Sequence, residues 1–146
     1  MDCLITPNGR AVPRRMILLI DHEASVRDVL QVCLDDLGGW NVKAASTIWQ
    51  GLILIEGSMP ELILLDVPDI ELCAEEVMAH LRGHTSLGLV PVIFITSKAG
   101  WFSKAQLQSL GVAGALPKPF NPTTLPDQIR ALLPRPGSVP PYQLEK

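Results

Sequence analysis

Pro60-Glu61-Leu62-Ile63-Leu64-Leu65-Asp66-Val67 is the stretch that decides the fold. Four apolar residues in a row, with a proline before and an acid after, fit a short strand buried on both faces. Such a strand belongs in a parallel sheet with helices on either side. The same layout recurs around it. Upstream, the run Met16-Ile17-Leu18-Leu19-Ile20 within residues 15–20 stops at Asp21; downstream, residues 90–95 stop at Thr96.

Helical spacing fills the gaps between these runs. Val26, Val29, Leu30, Cys33, Leu34 and Leu37 recur every three or four residues, which lines one face of a helix, and Gly38-Gly39 stops it. Residues 40–45 alternate apolar and polar, as a second strand does. Ser46 offers a cap for a helix that ends before Gly57 and Pro60. Residues 73–81 fit a third helix with Val77, Met78 and Leu81 inward. Ser103 caps a fourth, closed by Gly111. A short strand at 113–116 leads into Pro117-Lys118-Pro119, and a last helix covers 123–133, with Pro126 tolerable in its first turn. Five strands alternating with five helices imply an α/β fold, a doubly wound five-stranded parallel sheet with right-handed crossovers.

Length and composition agree. The chain has 146 residues, and single domains commonly run to roughly 100–150. Apolar residues make up 47% and charged ones 18%, in the globular range. A net charge of −3 gives no electrostatic footprint for nucleic acid, and no polybasic membrane anchor is present. No apolar run approaches the roughly 20 residues of a membrane span. Cys3, Cys33 and Cys73 form no metal-type pair; reduced thiols and a cytoplasmic location fit them best. Residues 1–14 read as a flexible leader. Residues 134–146, with four prolines, read as a tail with no output domain after it.

The strand ends carry the chemistry. In open parallel sheets, ligands sit at the carboxyl ends of the strands. That edge receives Asp21 and His22 from the first strand, Asp66 from the third, Thr96 from the fourth and Lys118 from the fifth. Two adjacent carboxylates repel and call for a cation. A hard divalent ion such as Mg²⁺ satisfies them and holds a phosphoryl group. Lys118 can act as a point charge toward phosphoryl oxygens, the Thr96 hydroxyl can donate to another, and a carboxylate is a competent nucleophile toward phosphorus.

Four motifs in order, Ile17-Leu18-Leu19-Ile20-Asp21, Pro60 to Val67, Pro91-Val92-Ile93-Phe94-Ile95-Thr96-Ser97 and Gly111 to Phe120, resemble the receiver domain of two-component response regulators across residues 15–133. The resemblance implies a flavodoxin-like sheet of order 2-1-3-4-5. It implies that Asp66 is the phosphoacceptor, served by a histidine kinase or phosphotransfer protein, and that Asp21 and Asp66 hold Mg²⁺ with the backbone carbonyl of Pro68. It makes Thr96 the switch hydroxyl, Lys118 the phosphate-pairing lysine and Lys118–Pro119 a candidate cis bond. It also implies signalling by protein contact through the surface of helix four, strand five and helix five, here with Trp101, Phe102, Leu107 and Ala115. Such a domain is a phosphoacceptor rather than an enzyme. Dimerisation is left open.

Three positions depart from that pattern. His22 stands where the second acid of the metal pair is usual, and imidazole suits other metals better than Mg²⁺; weakened Mg²⁺ binding and slower phosphorylation are expected. The loop after Asp66 reads Val67-Pro68-Asp69-Ile70-Glu71, without the usual proline and Asp-Gly. Ala115 replaces the usual switch aromatic. These departures support a second reading, a pseudo-receiver that binds partners without phosphorylation. A third, an unrelated nucleotide binder, lacks support: Asp21-His22-Glu23-Ala24 contains no glycine-rich phosphate loop. Trp40, Trp49 and Trp101 read as core or edge packing, and His80 and His84 as surface residues.

Overall fold

A computed structural model describes residues 3–5, 9, 11–13, 15–55, 59–67, 70–83, 90–97 and 99–133. Strands β1 (Cys3–Ile5) and β2 (Ala11–Pro13) pair antiparallel. The main sheet holds β3 (Met16–Ile20), β4 (Asn41–Ala45), β5 (Leu62–Asp66), β6 (Val92–Thr96) and β7 (Gly114–Pro117). Its order is β4-β3-β5-β6-β7, all parallel, which is the expected 2-1-3-4-5 sheet. The connecting helices are α1 (Ala24–Val32), α2 (Ile48–Leu54), α3 (Ile70–Gly83), α4 (Lys104–Leu110) and α5 (Leu125–Leu132).

Period-two alternation divides the core into two layers. Ile17, Leu19, Leu62, Leu64, Ile93 and Ile95 share one layer with Leu30, Leu34, Leu125 and Ile129 from the helices at residues 24–37 and 125–132. Leu18, Ile20, Ile63, Leu65, Val92 and Phe94 face the other, with Met78 and Leu81 of α3. The continuous apolar runs are therefore needed: each central strand is covered on both sides.

Local chemistry sets the helix ends. Ser103 and Gln106 form a capping box at the start of α4, and Gly111 closes it at φ 74°, a left-handed conformation that favours glycine. Pro126 lies in the first turn of α5, buried, where its missing N–H leaves no bond unmade.

The structure corrects several expectations. Part of the leader is strand, the β1–β2 ribbon, with Gly9 between its strands at φ 81°. The cap of α2 is Thr47, whose hydroxyl accepts from the Gln50 N–H at 3.2 Å; Ser46 instead donates to the Gln50 side chain. Helix α3 starts three residues before Cys73. Val29 and Leu37 were placed on the inner face of the first helix, yet they are 47% and 59% exposed. After Val32 the helix widens into a π turn over Cys33–Leu37, which shifts the register and turns Leu37 outward. Trp40 is buried, with Arg130 over its ring at 4.9 Å, but Trp49 is exposed and meets the His80 ring in a T-shaped contact. His84 and the tail at 134–146 lie outside the described residues.

The turn into β4 is tight. A Cβ on Gly38 would lie 2.5 Å from the Trp40 ring and 2.6 Å from the Leu34 carbonyl oxygen. The carbonyl belongs to the helix and cannot swing away. Gly38→Ala is expected to cost about 1–3 kcal/mol, as overpacking does, measured by urea unfolding; an unchanged midpoint would show that the turn yields.

Candidate phosphoryl and metal site

Asp21 follows the last residue of β3, and its N–H donates to the Ala45 carbonyl at 3.1 Å, so strand pairing continues through it. Its carboxylate is 1% exposed. One oxygen, Oδ1, accepts from the Glu23 N–H at 2.9 Å, a turn that starts α1. The turn into α1 and the bond from Lys118 thus use different oxygens of one carboxylate. Asp66 ends β5 beside Ile95 in register, with a side chain 6% exposed.

Lys118 follows β7. Its N–H donates to the Thr96 carbonyl at 3.0 Å, and the Lys118–Pro119 bond is cis. From there Nζ reaches across the sheet edge and donates to Asp66 Oδ1 at 2.8 Å and Asp21 Oδ2 at 2.9 Å. Burial works against its charge, but the bonds and charges of Asp66 and Asp21 outweigh that and hold its pKa above the ordinary lysine value. One ammonium bridging two buried carboxylates is a strong charge-assisted arrangement.

His22 is 58% exposed, yet Nδ1 sits 2.5 Å from Asp66 Oδ2 and 3.9 Å from Asp21 Oδ1. Against a carboxylate acceptor the donor tautomer is the one with its hydrogen on Nδ1; the other tautomer leaves a lone pair there. Asp21, His22 and Asp66 together place three candidate ligand atoms within 4.8 Å of one another.

Four of the residues singled out from sequence, Asp21, His22, Asp66 and Lys118, are therefore in direct contact. Thr96 shares the edge, 2% exposed at the end of β6, and is tied to Lys118 through the backbone. Pro68 lies outside the described residues. Sequence reasoning missed Arg27, whose guanidinium donates to the Asp21 carbonyl at 2.7 Å and fixes the turn into α1. A basic residue in the first turn after a strand-end acid was the available signal.

Cys33 is buried, its Sγ 2.9 Å from the Pro122 carbonyl oxygen, and burial pushes its thiol pKa up. That is a core residue, not a nucleophile. On the other side of the sheet, Ala115 pairs with Phe94, whose ring meets Phe102 at 5.6 Å between centroids. Aromatic bulk thus stands beside Ala115 although residue 115 supplies none. Phe102, Leu107 and Ala115 are half-buried against the core; the Trp101 side chain lies outside the described residues.

Residues 17–130 match the family model of the response regulator receiver domain. The response regulator Rre1 of Synechocystis sp. is 28% identical over 119 residues, 82% of this chain and 52% of that protein. The transcriptional regulatory protein CpxR of Klebsiella pneumoniae is 34% identical over 119 residues, 82% of this chain and 49% of that one. The chain spans about half the length of these curated relatives. Among solved structures, the chemotaxis response regulator CheY4 of Vibrio cholerae shares the fold at a TM-score of 0.70 and 24% identity, covering 82% of this chain and 99% of that one. The family match runs from the second residue of β3 through β4, β5, β6 and β7 and takes in the residues at their carboxyl ends, and the chain belongs to the response regulator receiver domains of two-component systems.

Proposed function

We propose that this chain accepts a phosphoryl group on Asp66 from a histidine kinase or phosphotransfer protein and signals by protein contact. The observation that carries the reading is the Lys118 bridge: a strand-end carboxylate at the sheet's carboxyl edge, held with a second acid by one half-buried ammonium. In the reaction an Asp66 oxygen attacks phosphorus, a new O–P bond forms, and the bond to the donor's leaving group breaks. Lys118 is placed to follow the incoming phosphoryl oxygens. The Thr96 hydroxyl is the group that would donate to another as the site rearranges.

The carboxylates of Asp21 and Asp66 fit Mg²⁺, which proteins commonly hold by one or two carboxylates with water completing the shell. Asp21 and Asp66, with the Pro68 carbonyl, would hold it. When bound, the ion offsets the charge between the carboxylates and the phosphoryl group. His22 contributes no oxygen to that set. His22→Asp is accordingly expected to raise Mg²⁺ affinity and the rate of phosphorylation by acetyl phosphate, each by about 10-fold. Equal affinity and rate in the variant would show that His22 does not limit the site.

A second reading, a phosphorylation-independent interaction module, draws on one specific contact. His22 Nδ1 holds Asp66 Oδ2 while Lys118 holds Oδ1, so both acceptor oxygens are occupied. Incubation with acetyl phosphate and Mg²⁺ followed by intact mass separates the two. An adduct lost in Asp66→Asn supports the acceptor; no adduct with any of several divalent ions supports the module. Under the first reading the chain is a phosphoacceptor, with phosphotransfer and dephosphorylation at Asp66 as its only chemistry. The partner face is formed by α4, β7 and α5, and the location is cytoplasmic. No helix among the described residues is long and apolar enough to cross a membrane.

A further inference from the structure

We infer that the cluster of Asp21, His22 and Asp66 is a site for a divalent transition ion of the zinc–cobalt class, bound in preference to Mg²⁺. The inference deepens the reading of this pocket as a metal site and rests on it for the pocket's location. Lys118 decides how the carboxylate oxygens are shared. Lys118 takes one oxygen from each acid, Oδ2 of Asp21 and Oδ1 of Asp66. The other two oxygens lie toward His22 Nδ1, Asp21 Oδ1 at 3.9 Å and Asp66 Oδ2 at 2.5 Å; Asp21 Oδ1 also accepts from the Glu23 N–H at 2.9 Å and keeps a second lone pair for an ion. The lysine thus sorts the four oxygens and leaves an O, O, N set on its far side.

The two spacings from the nitrogen are close to those around one ion, and the three residues' ligand atoms lie within 4.8 Å of one another. Donors about 2.0–2.2 Å from a shared ion, at octahedral or tetrahedral angles, stand about 3.0–3.5 Å apart. The two distances from Nδ1 bracket that range, and each needs to change by less than about 1 Å to reach it. His22 is exposed, so its ring can make the adjustment and solvent can fill the remaining positions. Two acids anchored by strand ends supply the rigid part of the site.

The other ring nitrogen faces an acid just beyond hydrogen-bond reach. Nε2 lies 3.8 Å from Glu23 Oε1. A ligating imidazole usually donates its second N–H to a carboxylate, which fixes the tautomer. Moving the ring hydrogen from Nδ1 to Nε2 frees Nδ1 as a donor atom and turns the hydrogen toward Glu23. No atom is gained or lost in that shift. Mg²⁺ gains little from this arrangement, since it selects oxygen and sheds water reluctantly. Imidazole suits the later first-row ions, for which affinity rises toward the end of the series.

The test uses the whole chain, stripped by a chelator, kept reduced and free of any phosphoryl donor. Zn²⁺, Co²⁺ and Mg²⁺ are titrated by calorimetry, and Co²⁺ also by its visible absorption, which reports nitrogen ligation. The expected result is one ion per chain, with Zn²⁺ and Co²⁺ bound at least about 10-fold more tightly than Mg²⁺. His22→Asn should weaken both by at least about 10-fold, and His80→Asn should leave them unchanged. His22→Asp should shift the preference toward Mg²⁺. Mg²⁺ binding as tight as Zn²⁺ in the parent chain, or Zn²⁺ and Co²⁺ affinity unmoved by His22→Asn, overturns the inference. Because phosphorylation plays no part in these titrations, their failure leaves the acceptor reading to be judged by its own adduct.

Discussion

Asp66→Asn is expected to end phosphorylation: the intact mass stays unchanged after acetyl phosphate and Mg²⁺, and the rate falls by at least about 100-fold. The substitution keeps the shape of the side chain and removes the nucleophile, because an amide oxygen does not attack phosphorus as a carboxylate does. It should not cost the fold. Lys118 now faces Asp21 alone at 2.9 Å, a balanced pair in place of one ammonium between two acids. The melting temperature should therefore hold or rise, and that separates loss of chemistry from loss of structure. A residual adduct in a folded variant would mean that another side chain accepts the group.

Lys118→Met should produce the larger change in stability. It leaves Asp21 and Asp66, 1% and 6% exposed, side by side without their cation. Removing one partner from a buried ion pair costs about 3–5 kcal/mol, because the other charge stays buried and uncompensated. Urea unfolding at neutral pH measures it. Adding Asp66→Asn to the same chain should recover part of the loss, since the pair no longer repels; losses that simply add would contradict the coupling. The pH dependence has a definite sign. The folded pKa of Lys118 is raised, so its contribution is complete below the ordinary lysine pKa of about 10.4 and is lost as pH rises through the raised value. The parent chain should weaken above about pH 10.4 through this group, and Lys118→Met should lack that component.

Much of this was legible in the chain. The runs ending at Asp21, Asp66, Thr96 and Lys118 identified both the sheet and the edge at which its chemistry gathers, because parallel strands buried on both faces are continuous and apolar. What periodicity could not show was where helical register changes. Leu37 fits the inward stripe of a regular helix, and only the π turn at Cys33–Leu37 turns it to solvent. Strands of three residues, such as Cys3–Ile5, are too short to show alternation, so the ribbon at the N-terminal end read as a leader. Thr47 and Ser46 are equally good cap residues in composition; backbone geometry chose Thr47. The His22–Asp66 contact joins residues 44 apart in sequence, and nothing local announces it. In sequence His22 reads as a missing acid, and in the structure its Nδ1 lies 2.5 Å from the Asp66 carboxylate.

If Asp66 is the residue that takes the phosphoryl group, the aspartyl phosphate can be trapped there. The most direct measurement treats the chain with acetyl phosphate and Mg²⁺, or Zn²⁺ in a parallel sample, and then reduces it with borohydride. Borohydride converts an aspartyl phosphate to homoserine, which peptide mass spectrometry locates. Homoserine is expected at residue 66 and nowhere else. Homoserine at another acid, or none with either ion, would contradict it.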